Sequence, residues 1–453
     1  MSLTATDWWL IAVALFLAYG LGVYALYRLG RIGPDKSLSL LGPALMLKTG
    51  RGRSLLDRLG RFRRFWSVIG SIGVGLAALA MVLIVGILGL DAYVVASTPA
   101  SVAPSPQEAL GIPGINPIIP IGYGIVALAV GIVLHELAHG VMARSQGIGV
   151  KTLGILWFVI PIGAFVEQND ADMNAAPRRQ RRRVAAAGVL ANFVLTVMFF
   201  AVLALVLNGS IAPNANGVGI AYVVPNSPAA NASLAPGDII TAINGTPTTT
   251  NSALLNDLSG VPPGTVMAIT YYDAAAGTTQ TRSITLAARG AFVQGDPTHA
   301  SEGFLGVSPL FLTPAGLKST LVSPVTSPQG GLIGSVDWLI LPLAGLEPIA
   351  GTTAGFFHVT GPLAGLGAGN FWVLANVLYW LAWMNLLLGL SNALPLVPLD
   401  GGLLFRDYVG GIVARLRPRW DSERLDRFAG SATVASSVIV LVLLLWQFVG
   451  PRL

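Results

Sequence analysis

The chain alternates between long apolar runs and polar, often basic, segments. A transmembrane helix needs about 20 predominantly apolar residues. Six runs approach or meet that length: Trp8–Tyr27, Phe65–Leu90, Ile121–Ala143, Val184–Leu207, Phe371–Leu390 and Ser431–Val449. Another apolar stretch, Leu332–Ile349, contains Asp, Glu and Pro residues and is interpreted as a membrane-surface or re-entrant segment. The pattern predicts a polytopic α-helical membrane protein with about six transmembrane helices.

The composition supports this fold class and excludes others. Charged residues make up 11% of the 453 positions and hydrophobic residues 53%, whereas a soluble domain carries roughly 25% charged residues. A single water-soluble globule is therefore excluded. Disordered chains are poor in apolar residues, and the absence of cysteine rules out a disulfide scaffold.

Basic residues are concentrated in three polar segments. Of 27 Lys and Arg residues, 23 lie within 28–64, 144–183 and 391–430, whereas the long segment 208–370 has three. With six spans, the three basic segments fall on one side, which the positive-inside rule makes cytoplasmic. We therefore predict a multi-pass protein with both termini and residues 208–370 outside the cytoplasm. The bias toward arginine and the absence of cysteine favour a prokaryotic plasma membrane.

Five arginines occur within Arg178–Arg183, directly before a predicted span. A basic run of this kind can bind nucleic acid. Its position next to an apolar segment instead favours an anchor against anionic lipid. We predict contact with the lipid bilayer and no nucleic-acid partner.

Residues 208–330 differ in composition from the remainder of the chain. The part at about 217–289 is rich in Thr and Asn and contains short alternating runs that predict β-strands. Its run from Gly237 to Gly245 resembles the mid-domain strand and turn of PDZ domains, which bind extended peptides by adding a strand to a sheet edge. The resemblance implies an extracytoplasmic, β-rich PDZ-like domain with a peptide or protein ligand. The alternative is a β-rich spacer that binds nothing.

The strongest chemical signal is His135-Glu136-Leu137-Ala138-His139, inside the third predicted span. Ionisable residues within a span are costly and are usually functional. Positions i and i+4 share one face of a helix, so both imidazoles can bind one metal ion. Glu136 lies about 100° round the helix, where it can act as general base on a zinc-activated water. Two histidines that hydrogen-bond between helices are the alternative.

A catalytic zinc site usually has three protein ligands and one open position. The candidate third ligand is Asp400, in a run that contains Pro395 and Pro398 and ends with Gly401 and Gly402. The prolines break helical hydrogen bonding, and the glycines permit unusual dihedrals. Irregular backbone at membrane depth is tolerated when it lines a wet cavity, so we expect Asp400 to face an internal aqueous site. A turn in a cytoplasmic loop is the alternative.

These motifs, in this order, resemble the site-2 protease family of intramembrane zinc metalloproteases. The resemblance covers most of the chain from about Ile121 to Gly402. It implies hydrolysis of peptide bonds within or next to a transmembrane helix of a membrane-anchored protein substrate, as a step in regulated intramembrane proteolysis. It also implies Zn²⁺ as cofactor, with the ligands His135, His139 and Asp400 and the general base Glu136.

The run from Gly188 to Asn192 is similar to a Gly-x-x-x-Asn element of the same family, although Val189 stands where the family has proline. The resemblance implies that Asn192 assists substrate or oxyanion binding through hydrogen bonds. An amide that packs between helices is the alternative.

The apolar segment Leu153–Val166 is too short and too broken by Pro161 and Gly163 to be a span. We predict a buried hairpin. An edge strand near the zinc could hold an unwound substrate by β-addition. The residues predicted to bind substrate are Leu153, Gly154, Ile155 and Leu156.

These assignments divide the chain into four parts. Residues 1–120 hold two transmembrane helices and a basic cytoplasmic loop, and 121–207 form the first part of the catalytic membrane core. Residues 208–330 comprise the PDZ-like domain and a linker. The second part of the core, with the Asp400 motif and the C-terminal helix, is 331–453.

The leading hypothesis is a zinc-dependent intramembrane endopeptidase whose active site lies toward the cytoplasmic side. A catalytically silent membrane scaffold that presents the PDZ-like domain is one alternative, and a transporter is another. The intact His-Glu-x-x-His motif argues against both, because neither function needs it.

Overall fold

The computed structural model describes residues 5–34, 36–96, 107, 111–293, 299–310, 312–322 and 352–450. The segment Leu332–Ile349, which the sequence predicts to lie at the membrane surface, is outside these residues. The described chain divides into two compact units, residues 1–197 with 381–453 and residues 198–380. Each unit has its own sheet and core.

The helices are named in chain order. They are α1 (Ala5–Arg28), α2 (Arg53–Gly60), α3 (Arg63–Val95), α4 (Ile121–Ser145), α5 (Asp170–Ala175), α6 (Arg178–Ser210), α7 (Pro228–Asn231), α8 (Asn251–Leu258), α9 (Pro314–Val322), α10 (Thr352–Gly355), α11 (Ala368–Ala393), α12 (Asp400–Leu416) and α13 (Ser422–Val449). Short 3₁₀ turns occupy Arg289–Ala291 and Gly361–Leu366.

The strands are named in the same way. They are β1 (Leu38–Leu41), β2 (Ala44–Thr49), β3 (Val150–Phe158), β4 (Ile160–Gln168), β5 (Ile211–Pro213), β6 (Val218–Val223), β7 (Ile239–Ile243), β8 (Thr246–Pro247), β9 (Val266–Asp273), β10 (Thr278–Thr285), β11 (Ala287–Ala288), β12 (Gly303–Phe304), β13 (Val307–Pro309) and β14 (Phe357–Val359).

Within the described residues, five helices are long and apolar enough to cross a membrane: α3, α4, α6, α11 and α13. They contain five of the six predicted spans. The remaining predicted span, Trp8–Tyr27, falls in α1. The apolar part of α1, Val13–Arg28, is shorter than the other five helices. The prediction of a multi-span helical protein is confirmed at this level, and the sixth crossing stays a prediction.

Small residues let the helices of the first unit approach closely. Helix α3 buries Gly70, Gly73, Ala77 and Ala80 along one face. Ala77 and Ala80 belong to a buried cluster that also takes in Ala186 and Val189 of α6 and Leu404 of α12. Residues without bulky side chains allow tight contact between helices in a membrane, where apolar burial gives little driving force. The contact holds α6 and α12, which carry parts of the site described below, against α3.

The first unit also contains a four-stranded antiparallel sheet in the order β1-β2-β3-β4. The predicted hairpin Leu153–Val166 is present as β3 and β4. A second hairpin, β1 with β2, comes from the basic segment 28–64 and pairs with β3, so that Leu47 lies opposite Ile155. This second hairpin was not predicted.

The added hairpin corrects the prediction that Leu153, Gly154, Ile155 and Leu156 lie on an edge strand. All four residues are in β3, which is hydrogen-bonded to β2 on one side and β4 on the other. Their backbone groups are already paired within the sheet. The edge strands of this sheet are β1 and β4.

The second unit contains a sheet in the order β10-β9-β7-β6-β13, with β8 paired to β7. Its core is formed by the inward residues of these strands, among them Ile240, Ile269 and Tyr271, each fully buried. Strand β7 and the turn at Asn244 and Gly245 fall within the run that resembles a PDZ domain. A β-rich segment is therefore present, and its assignment as PDZ-like stays a prediction.

Candidate metal centre

The helix α4 presents His135 and His139 on one face, one turn apart, as their spacing predicts. The Nε2 atoms of the two rings lie 3.1 Å apart. Both side chains are buried, with relative exposures of 7% and 6%. The imidazoles are thus held together inside the first unit, away from bulk water.

The carboxylate of Asp400 completes a group of three. Its Oδ2 atom lies 3.1 Å from Nε2 of His135 and 3.0 Å from Nε2 of His139. Asp400 is the first residue of α12 and is 261 positions from His139 along the chain. The structure therefore brings together the three residues that the sequence analysis selected as metal ligands.

The spacing of the three atoms fits a metal ion. A tetrahedral zinc site with bonds of about 2.0–2.1 Å holds its ligand atoms about 3.3 Å apart, close to the separations of 3.0–3.1 Å in this group. Two imidazoles and one carboxylate are also a donor set that zinc accepts in catalytic sites. Among the described residues, this is the group of His, Asp and Glu side chains whose ligand atoms converge on one point.

The ring of His139 is oriented by a backbone carbonyl. Its Nδ1–H donates to the carbonyl oxygen of Val184 on α6, at 2.7 Å. This hydrogen bond fixes the tautomer that leaves a lone pair on Nε2, the atom that faces Asp400. The acceptor belongs to the backbone, so the residue type of Val184 gives no signal of this contact in the sequence.

The ring of His135 is oriented by Asn192, which is fully buried on α6. The Nδ2 atom of Asn192 lies 3.1 Å from Nδ1 of His135, and its buried Oδ1 atom has no hydrogen-bond partner. The two amide atoms exchange places when the amide rotates by 180°. When Oδ1 faces the ring, the amide accepts the Nδ1 hydrogen and leaves Nε2 free to bind metal. The structure places Asn192 beside a ligand, and its predicted role toward an oxyanion stays a prediction.

Glu136 is half-buried next to these ligands and contacts the sheet. Its Oε2 atom accepts a hydrogen bond from the backbone N–H of Val166 in β4, at 3.0 Å. Val166 lies opposite Leu153 of β3, so an N–H that reaches Glu136 points away from β3. The backbone of β4, rather than that of β3, therefore approaches the carboxylate.

Glycines allow α6 to lie close to the histidines of α4, and α12 to lie close to the end of α11. A Cβ atom at Gly188 of α6 would overlap both imidazole rings. A Cβ atom at Gly401 would overlap the carbonyl oxygens of Ala393 and Leu394 at the end of α11. Gly401 is helical, so the requirement for glycine there is close packing against the end of α11.

Comparison with known proteins agrees with this geometry. Residues 123–437 match the sequence model of Peptidase family M50, which is more than half of the chain. An uncharacterised protein of Methanocaldococcus jannaschii is 34% identical over 152 residues, 33% of this chain and 40% of that protein. The metalloprotease MmpA of Caulobacter vibrioides is 28% identical over 163 residues, 26% of this chain and 40% of that protein.

A candidate zinc metalloprotease of Lactococcus lactis is 26% identical over 261 residues, 57% of this chain and 54% of that protein. The chain thus spans 40% to 54% of the length of these three relatives. The family match begins before His135 and ends after Asp400. Because the matched region holds the whole ligand set on elements that the structure brings together, the chain belongs to Peptidase family M50, the site-2 protease family.

Proposed function

We propose that this protein is a zinc-dependent intramembrane endopeptidase that hydrolyses peptide bonds within or next to the transmembrane helices of membrane-anchored substrates. The observation that carries the proposal is the convergence of His135, His139 and Asp400 on one point. Both histidines and Glu136 lie on α4, an apolar helix long enough to span a membrane. Similarity to named metalloproteases supports it. The wider role would be regulated intramembrane proteolysis.

The chemistry divides between the ion and the chain. Zinc held by His135, His139 and Asp400 would supply a Lewis acid and lower the pKa of a bound water to about 7. Glu136 is the general base, which takes a proton from the attacking water and delivers it to the leaving amine nitrogen. The Val166 N–H holds one carboxylate oxygen of Glu136 in place, which limits the orientations that the base can adopt.

The substrate must be extended before its peptide bonds can be reached, because in a helix they are hydrogen-bonded and covered. Strand β4 offers an edge for β-addition and contacts Glu136 at Val166. We infer that an unwound substrate segment pairs with β4, in place of the β3 residues that the sequence analysis selected. The scissile bond would then lie along the same edge as the general base.

The remaining assignments complete the proposal. The protein would lie in a prokaryotic plasma membrane with the metal centre toward the cytoplasmic side, since the basic segments predict that orientation. The part of the second unit at about 217–289 would act outside the cytoplasm as a PDZ-like domain that binds a peptide or protein ligand. In the silent-scaffold alternative, the PDZ-like domain binds its ligand and no peptide bond is hydrolysed.

The test compares wild type with Glu136→Gln in the full chain. We expect both proteins to hold one zinc per chain, measured by atomic emission, and expect only the wild type to cleave a single-span substrate. A carboxamide cannot accept the proton, so the chemistry stops while the ligands stay intact. Equal cleavage by the two proteins, or no bound zinc in the wild type, contradicts the proposal.

A further inference from the structure

A basic cleft lies between the N-terminal ends of α3 and α6, and it contains none of the metal ligands. It has a volume of about 760 Å³. Its residues are four arginines, two serines and two aliphatic side chains: Arg63, Arg64, Arg179, Arg183, Ser67, Ser71, Val68 and Ile72. None of the described residues that line it is acidic, so the cleft concentrates positive charge without a protein counter-ion.

The arginine run at the start of α6 is divided between two faces of the helix. Arg181 forms two hydrogen bonds to the carboxylate of Asp407 on α12, at 2.5 and 3.2 Å. Arg182 lies over the ring of Tyr408, 5.2 Å from its centroid. These two side chains are thus satisfied by α12. Arg179 and Arg183, one turn apart, lie on the face that lines the cleft.

Arg183 is fixed in position by its neighbours. It is 8% exposed, and its guanidinium donates to Oγ of Ser71 at 3.0 and 3.2 Å and to Oε1 of Gln146 at 2.9 Å. Both partners are neutral. Burying a charge with only neutral partners is costly, and in the described structure none of the four cleft arginines forms an ion pair. An anion in the cleft would remove that cost.

The N-terminal ends of α3 and α6 also favour a bound anion. Arg63 and Arg64 open α3, and α6 opens with Arg178 and Arg179; neither helix has an acidic residue in its first turn. The N-terminus of a helix carries partial positive charge, so cations there are unfavourable and anions are favoured. Four arginines at two such ends repel one another and the helix dipoles. An external anion between them would offset this repulsion.

The side chains beyond the arginines indicate what kind of anion fits. On α3, Arg64, Val68 and Ile72 follow one another at intervals of four residues, on one face of the helix. Val68 and Ile72 are 61% and 52% exposed and lie within an apolar helix long enough to span a membrane. A ligand that fits this order of basic and then apolar side chains has a phosphate at one end and a hydrocarbon chain at the other.

We propose that this cleft is a binding site for one anionic phospholipid, with the phosphate between Arg63, Arg64, Arg179 and Arg183 and an acyl chain along Val68 and Ile72. Basic pockets between transmembrane helices on the cytoplasmic side are suited to such headgroups. The site differs from a general basic anchor because it has a fixed member, Arg183, and a defined apolar continuation. It does not depend on the proposed proteolysis.

The test titrates phosphatidylglycerol onto the full chain purified in detergent and counts retained lipid by native mass spectrometry. The variant Arg63→Gln/Arg64→Gln removes two exposed charges, so its folding is not expected to suffer. At roughly 1 kcal/mol per basic residue, we expect affinity to fall about 30-fold. The single variant Arg179→Gln changes another exposed arginine of the cleft. Its affinity for phosphatidylglycerol should fall about fivefold.

The matched control is Arg417→Gln/Arg419→Gln, which removes the same charge from two exposed arginines between α12 and α13 on the same predicted side of the membrane. We expect it to bind phosphatidylglycerol as wild type does, and expect phosphatidylcholine to bind weakly to all forms. Equal losses in the cleft and control variants show only non-specific attraction and overturn the proposal. Displacement of the lipid by an equal concentration of inorganic phosphate also overturns it, because the acyl chain then contributes nothing.

Discussion

The side chain of Glu136 and the backbone of Val166 are joined by a hydrogen bond of 3.0 Å between Oε2 and the amide nitrogen. The contact connects the general base of the proposed reaction to β4, an edge strand of the four-stranded sheet. A substrate strand paired with β4 would therefore lie beside the carboxylate. The hydrogen bond thus orients the base relative to this strand.

The first prediction concerns the edge of β4. Side chains and backbone groups alternate along a strand, so the N–H of Ala164 points to the same side as that of Val166, away from β3. Ala164→Pro removes this N–H without disturbing the pairing to β3. We expect cleavage to fall at least about tenfold, the worth of one or two lost hydrogen bonds, with bound zinc unchanged.

Ala164→Val is the control for this experiment, because it adds bulk and keeps the N–H. It should cleave within about twofold of wild type, since a β-branched residue suits a strand. Cleavage rates and zinc content are measured on the same preparations. Full activity of Ala164→Pro would show that the substrate does not pair with β4.

The second prediction concerns the orientation of His135. Replacing a residue that orients a metal ligand typically costs 10–100-fold in metal affinity, so Asn192→Ala should weaken zinc binding by about that factor. Asn192→Asp keeps an oxygen that can accept the Nδ1 hydrogen and should retain most of the affinity. Competition with a chromophoric chelator measures both. An unchanged zinc affinity in Asn192→Ala, with lost cleavage, would favour the oxyanion role instead.

The third prediction concerns the contact between α6 and the histidines. A Cβ atom at Gly188 meets both imidazole rings, so Gly188→Ala should push them apart and abolish zinc binding. The control is Gly75→Ala on α3, where an added Cβ has open space and alanine favours the helix. It should bind zinc normally. Metal analysis of the two purified variants distinguishes them, and normal zinc content in Gly188→Ala contradicts the packing argument.

The fourth prediction concerns the link between α6 and α12. The paired hydrogen bonds from Arg181 to Asp407 join the helix of Asn192 to the helix of Asp400. Asp407→Asn removes the charge and leaves a partly buried guanidinium with a weaker acceptor, so we expect a loss of about 1–3 kcal/mol in stability. The thermal midpoint measures this. Asp91→Asn, an exposed carboxylate on α3, is the control and should leave the midpoint within about 1 °C.

The parts of the site that could be predicted from the sequence are those that depend on local geometry. The i, i+4 spacing places His135 and His139 on one helix face whatever surrounds them. Asp400 was identified because a carboxylate beside prolines and glycines at a predicted membrane edge is unusual. The apolar runs located the five long helices because a span requires a length of sequence that few other structures require.

The parts that could not be predicted depend on distant pairings. The central position of β3 results from β2, more than 100 positions earlier in the chain, in a segment whose basic residues indicated only topology. The carbonyl of Val184 and the N–H of Val166 belong to the backbone, and their residue types carry no signal. The steric requirement at Gly188 becomes visible only when α4 lies against α6.

The separation of 261 positions between His139 and Asp400 has a consequence for folding. An ion bound by both residues would be a cross-link that closes a very long loop. A ligand that binds only the folded chain adds RT ln(1 + [L]/Kd) to the free energy of unfolding. The metal would then stabilise the fold as well as serve as a cofactor, since it would link the N-terminal and C-terminal parts of the membrane unit across the whole intervening segment.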